Sequence, residues 1–79
     1  MSPTIFRSGD LRFFFFAHEE PRIHVHVRAP GGKAKIWIEP RIELAENRGL
    51  STATLNRALR EIRTHEEQIR EAWHDFFDT

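Results

Sequence analysis

Two alternating runs flank Ala29-Pro30-Gly31-Gly32, and together they constrain this chain more than any other feature. Before the loop, Ile23, Val25 and Val27 alternate with Arg22, His24, His26 and Arg28. After it, Ala34, Ile36 and Ile38 alternate with Lys33, Lys35, Trp37 and Glu39. A period of two sends successive side chains to opposite faces of a strand, and a Pro-Gly-Gly loop between two such runs reads as a hairpin. Pairing Arg28 with Lys33 sets the register. His26 then faces Lys35, His24 faces Trp37 and Arg22 faces Glu39. On the other face Val27 meets Ala34, Val25 meets Ile36 and Ile23 meets Ile38. Every apolar residue finds an apolar partner, and a slip of one residue would undo all of these matches.

The rest of the chain extends this hairpin into an α+β fold. Ile5-Phe6 reads as a short extended piece, and Ser8-Gly9-Asp10 as a turn. Leu11 to Phe16 has the aromatic content of a strand. The parity of the hairpin puts Phe13 and Phe15 on its apolar face, and Arg12, Phe14 and Phe16 on its histidine face. Residues 17–21 connect this strand to the next. Arg41-Ile42-Glu43-Leu44 alternates and reads either as a short fourth strand or as a helical turn begun by Pro40. Ser51 is a good N-cap, and Leu55, Ala58, Leu59, Ile62, Ile69, Ala72, Trp73, Phe76 and Phe77 follow at helical spacing. Thr64-His65-Glu66-Glu67 has the form of a capping box and interrupts that stripe, so one long helix or two short ones follow. The expectation is a single domain over residues 1–79. It consists of a three- to four-stranded antiparallel β-meander with one or two C-terminal helices packed on its apolar face.

Composition removes several classes. The chain has 79 residues and no cysteine, which excludes a disulfide framework and any thiolate metal site. No apolar run approaches membrane-spanning length, and no signal peptide is visible, so a cytoplasmic protein without a membrane partner is expected. Lys plus Arg equals Asp plus Glu at 12 each, so the net charge indicates no partner. The distribution does: residues 22–35 carry Arg22, Arg28, Lys33 and Lys35 and no acid. A chain this small struggles to cover seven Phe and two Trp by itself, so self-association or a partner is expected.

The histidine face holds the candidate chemistry. Phe14, Phe16, His24, His26 and Trp37 lie among Arg12, Arg22, Arg28 and Lys35. Aromatics interleaved with cations on an open sheet suit single-stranded nucleic acid, and the same aromatics suit burial by a protein partner. His18, His24 and His26 form a candidate zinc triad, although the nearby cations oppose it. His24 and His26 also form a candidate general acid–base pair, with Lys35 or Arg28 stabilising a charged transition state. Solvated or hydrogen-bonded histidines are the plainer reading. No Gly-x-Ser-x-Gly or phosphate-cradling glycine loop is present, so no catalytic residue is assigned by motif.

A set of short motifs completes the reading. They are Pro3-Thr4-Ile5, His18-Glu19 ahead of Pro21, Ile23-His24-Val25, Ala34-Lys35-Ile36-Trp37, Asn47-Arg48-Gly49-Leu50-Ser51 and Glu71-Ala72-Trp73-His74-Asp75-Phe76-Phe77. With them the chain resembles a small bacterial family catalogued as a domain of unknown function, number 4160. The resemblance implies a two-gene module with a toxin–antitoxin-like layout and a partner encoded by the adjacent gene. One departure stands out. Where the family usually reads Pro-Pro-His-aliphatic-His-Val, Glu20 replaces the first proline and Arg22 the first histidine. His24 matches the second histidine, and His26 sits where a basic residue is frequent. The expected function is association through the His/Arg/aromatic face, with a partner protein, a second copy or nucleic acid. The alternative is a nucleic-acid-cleaving enzyme, with or without a metal, using His24 and His26.

Overall fold

A computed structural model describes residues 4–16 and 21–77. Five strands precede two helices: β1 (Thr4–Ser8), β2 (Leu11–Phe14), β3 (His24–Ala29), β4 (Gly32–Trp37), β5 (Glu43–Arg48), α1 (Thr52–Thr64) and α2 (Glu66–Phe77). The strands form one sheet in the order β1-β2-β3-β4-β5, with every neighbouring pair antiparallel. This is an α+β meander with one strand more than the sequence suggested. The extra strand is β1, whose extension past Phe6 through Arg7 and Ser8 has no apolar signal. The last strand is also later and longer than Arg41–Leu44, because its second half, Glu46-Asn47-Arg48, is wholly polar.

The central hairpin keeps the expected register. His24 pairs with Trp37, Val25 with Ile36, His26 with Lys35, Val27 with Ala34 and Arg28 with Lys33. Pairing continues one step further, Ala29 with Gly32, so the loop tightens to Pro30-Gly31. Proline then glycine at φ 94° suits a type II turn, which needs a positive φ at its third residue. Gly32 has a different reason. A Cβ there would lie 2.0 Å from the carbonyl oxygen of Arg48, so only glycine lets β5 come this close.

The apolar face carries the core. Leu11, Phe13, Val25, Val27, Ala34 and Ile36 are buried beneath Ala58 and Ile62 of α1 and Ile69 and Trp73 of α2. Beyond the paired ends, the Ile38 amide donates to the Ile23 carbonyl at 2.9 Å, which keeps both isoleucines inside. Ser51 caps α1 by accepting from the Thr54 amide at 3.1 Å. The helical stripe does break at His65, though without the expected capping box. Thr64 Oγ1 instead donates back to the Arg60 carbonyl at 3.0 Å, and His65 Nδ1 donates to the Glu61 carbonyl at 2.8 Å. Arg70 fastens α2 to the segment that follows β4 through Glu39, while also bonding Glu66. Burial works against that charge, but the two carboxylates more than offset it and raise the Arg70 pKa above the usual arginine value.

Among the described residues, no helix is long and apolar enough to cross a membrane.

Candidate nucleic-acid interface

One line of residues crosses the face turned away from the helices, and it is cationic in every strand. Arg7 pairs with Arg12, Arg12 with Arg28, Arg28 with Lys33, and Lys33 with Arg48. Cross-strand partners share a face, and Arg28 points opposite to its buried neighbour Val27, so the whole line lies on the open side. Four inter-strand steps of about 4.8 Å carry it across about 19 Å. Like charges directly opposite each other destabilise a ladder, and alternating signs would serve both packing and solubility better. Arg7, Arg28, Lys33 and Arg48 are exposed. Among the described residues, Arg7, Arg28 and Lys33 make no ion pair. Arg12 is held by its Nε donating to Thr4 Oγ1 at 2.8 Å, with its guanidinium 4.6 Å from the centre of the Phe14 ring. Arg48 donates to Glu46 at 3.2 Å. Arg28, Lys33 and Arg48 also line a shallow recess of about 300 Å³ beside Gly32.

The next line along the strands is Phe14, His26, Lys35 and Glu46. Beyond it come His24, Trp37 and Glu43. The expected parity therefore holds for Phe14, His24, His26, Arg28, Lys35 and Trp37, which the sheet brings onto one face.

Their exposure differs from the expectation. Phe14 is only 2% exposed, because His26 stacks on it at 5.6 Å, Phe16 meets it edge-on at 5.3 Å and Arg12 lies over it. Trp37 is half-buried, with the Arg22 guanidinium at 4.0 Å and the Lys35 ammonium at 4.5 Å from its ring. Arg22 lies just before β3 and is positioned by donating from Nε to the Glu39 carbonyl at 2.7 Å. Two of the three aromatics expected to need a partner are thus covered, wholly or in part, by their own chain. Phe16 remains, 37% exposed.

His24 corrects the expectation further, since it is completely buried. Pairing of β2 with β3 ends at Phe14 and His26, so no strand lies beside His24 on that side. Trp73 of α2 reaches it there, at 5.2 Å between ring centres, while Trp37 stands at 5.5 Å and His26 at 5.2 Å. Its Nδ1 donates to the Arg22 carbonyl at 2.7 Å, which fixes the ring. His26 alone of this pair reaches solvent. His18, the third member of the expected zinc triad, lies outside the described residues. Among the described residues, no group of three or more His, Asp or Glu is placed to hold a metal ion.

With this geometry in view, the comparison with known families is decisive on one point. The pattern of the family described as "Domain of unknown function (DUF4160)" matches residues 11–74. The chain belongs to the DUF4160 family. The matched span covers β2 through most of α2, so the cationic line from Arg12 to Arg48 falls inside the family region, and Arg7 falls outside it. No match is found among curated proteins or among solved structures.

Sequence reasoning had not placed Arg7 and Arg48 on this face. Arg7 needed the tight Gly9–Asp10 turn that pairs Ser8 with Leu11. Arg48 needed a full-length β5 and the irregularity opposite Lys35 and Ile36, which shifts the side-chain parity along that strand.

Proposed function

We propose that this protein is a small binding module whose open sheet face grips the phosphate backbone of single-stranded RNA. The observation that carries this reading is the unbroken line of Arg7, Arg12, Arg28, Lys33 and Arg48. Fixed cations at sheet spacing suit a chain of phosphates, and their repulsion is relieved when phosphates arrive. An open sheet offers a surface to an unpaired strand rather than an element to insert into a groove. The apolar part of the face is largely covered by its own chain, so what stays exposed is charge. That favours RNA over a protein partner on this face. In the two-gene setting implied by the family resemblance, the module acts by association. The buried His24 speaks against an acid–base pair of His24 and His26, because such a pair must reach the reacting phosphate and His24 lies under Trp73 and Trp37.

Fluorescence anisotropy with a labelled oligouridine tests the reading. Wild-type protein should bind at low salt. The double variant Arg28→Thr, Lys33→Thr should lose roughly 10- to 30-fold in affinity near 0.1 M salt while keeping its circular dichroism spectrum. Absence of wild-type binding at low salt would overturn the proposal and return the face to a protein partner.

A further inference from the structure

A second recess adjoins the cationic line, and its walls are of a different kind. It measures about 220 Å³ and is lined by Phe16, His26, Lys35 and Glu46 together with Lys33 and Arg48 of the line. Its volume lies below the range of about 300–1,000 Å³ typical of drug-sized ligands, which suits one planar nucleobase. Phe16 and His26 form an aromatic wall, with ring centres 4.4 Å apart and ring planes inclined at 66°. Phe16 keeps 37% of its surface open, so a flat ligand gains apolar contact there. Lys33 and Arg48 also line the neighbouring recess beside Gly32, so the two recesses adjoin.

Glu46 is the feature that asks for explanation. A carboxylate among the cations of a phosphate-binding face repels the ligand, unless it accepts hydrogen bonds from it. Its link to Arg48 is an exposed pair at 3.2 Å, which contributes little and is readily exchanged. A carboxylate only accepts, and it accepts best from two adjacent donors. Among the four RNA bases, guanine alone presents two neighbouring N–H donors on its Watson–Crick edge, at N1 and N2. Cytosine and adenine each set one amino group beside a ring acceptor, and uracil sets one N–H between two carbonyls.

We propose that this recess holds one unstacked guanine of the bound strand, with its Watson–Crick edge on Glu46 and its ring on Phe16. This rests on the RNA-binding reading above and adds a base preference to it. Arg48, released from Glu46, turns to the phosphate.

The test compares an oligouridine with the same oligomer carrying one central guanine, on the intact chain. The guanine oligomer should bind roughly 5- to 150-fold more tightly, the range of one good bidentate base contact. Inosine in its place lacks the N2 amino group and should lose most of that gain. Glu46→Gln should abolish the preference for guanine over uracil. Equal binding of the two oligomers, or a preference that survives Glu46→Gln, would overturn the inference and leave the phosphate-binding face standing. Binding of neither oligomer at low salt would overturn both. Guanosine monophosphate binding as tightly as the oligomer would show a free-nucleotide site and overturn the strand-borne guanine.

Discussion

Replacing Arg28 with threonine is expected to strengthen the fold and weaken the ligand grip. Arg28 faces Arg12 on one side and Lys33 on the other, so its removal relieves two like-charge pairs at once. Threonine also suits a strand. Urea unfolding at low ionic strength should show a higher midpoint for Arg28→Thr. The difference should shrink as salt screens the repulsion that wild type suffers. A lower midpoint would mean that the line contributes to stability and is not a functional cost. His24 should behave in the opposite way. Truncation to alanine empties a site walled by Trp37, Trp73 and His26, and removes the bond to the Arg22 carbonyl. A loss of about 2–4 kcal/mol in urea unfolding is expected, as for other large-to-small core changes. A loss below about 0.5 kcal/mol, within the range of surface substitutions, would contradict its burial. The face to which His24 points was readable from alternation alone. Its burial was not, because that depends on β2 stopping at Phe14 and on Trp73 filling the space, both of which are long-range events.

The elements differ in how far local signals determine them. The central hairpin was legible in full, since both strands alternate and their apolar residues match across the loop. Ser51 was legible as a cap because capping is a short-range bond, and Ser51→Ala should cost about 1 kcal/mol by urea unfolding. The edges were harder. β5 is exposed at every residue, its second half has no apolar alternation to read, and β4 is its neighbour in the sheet. Its close approach at the turn end depends on Gly32. Gly32→Ala should therefore cost about 1–3 kcal/mol, as overpacking does, and should loosen β5 before the core. Hydrogen exchange would show this as faster exchange at the amides of β5 with little change in β3. Unchanged exchange in β5 would mean that the strand tolerates the added methyl group.

At the scale of the whole molecule, a net charge of zero conceals two unlike layers. The helices are nearly balanced, with Glu61, Glu66, Glu67, Glu71 and Asp75 against Arg57, Arg60, Arg63 and Arg70, while the open sheet face carries Arg7, Arg12, Arg28, Lys33, Lys35 and Arg48 against Glu43 and Glu46. Composition could not reveal this, because the line assembles one residue from each of five strands spread from position 7 to position 48. Only the meander, with its short turns and its β5 irregularity, aligns them. The same topology leaves Phe16 open beside the line and seals Phe14 and His24 away from it. The central claim is that this line is a phosphate track, and the salt dependence of binding to single-stranded RNA tests it most directly. Each phosphate contact contributes about 0.7 to the slope of log affinity against log salt, so five contacts should give a slope of about −3 to −3.5. Removing Lys33 should flatten that slope by about 0.7. A slope near zero, or one that Lys33→Thr leaves unchanged, would contradict it.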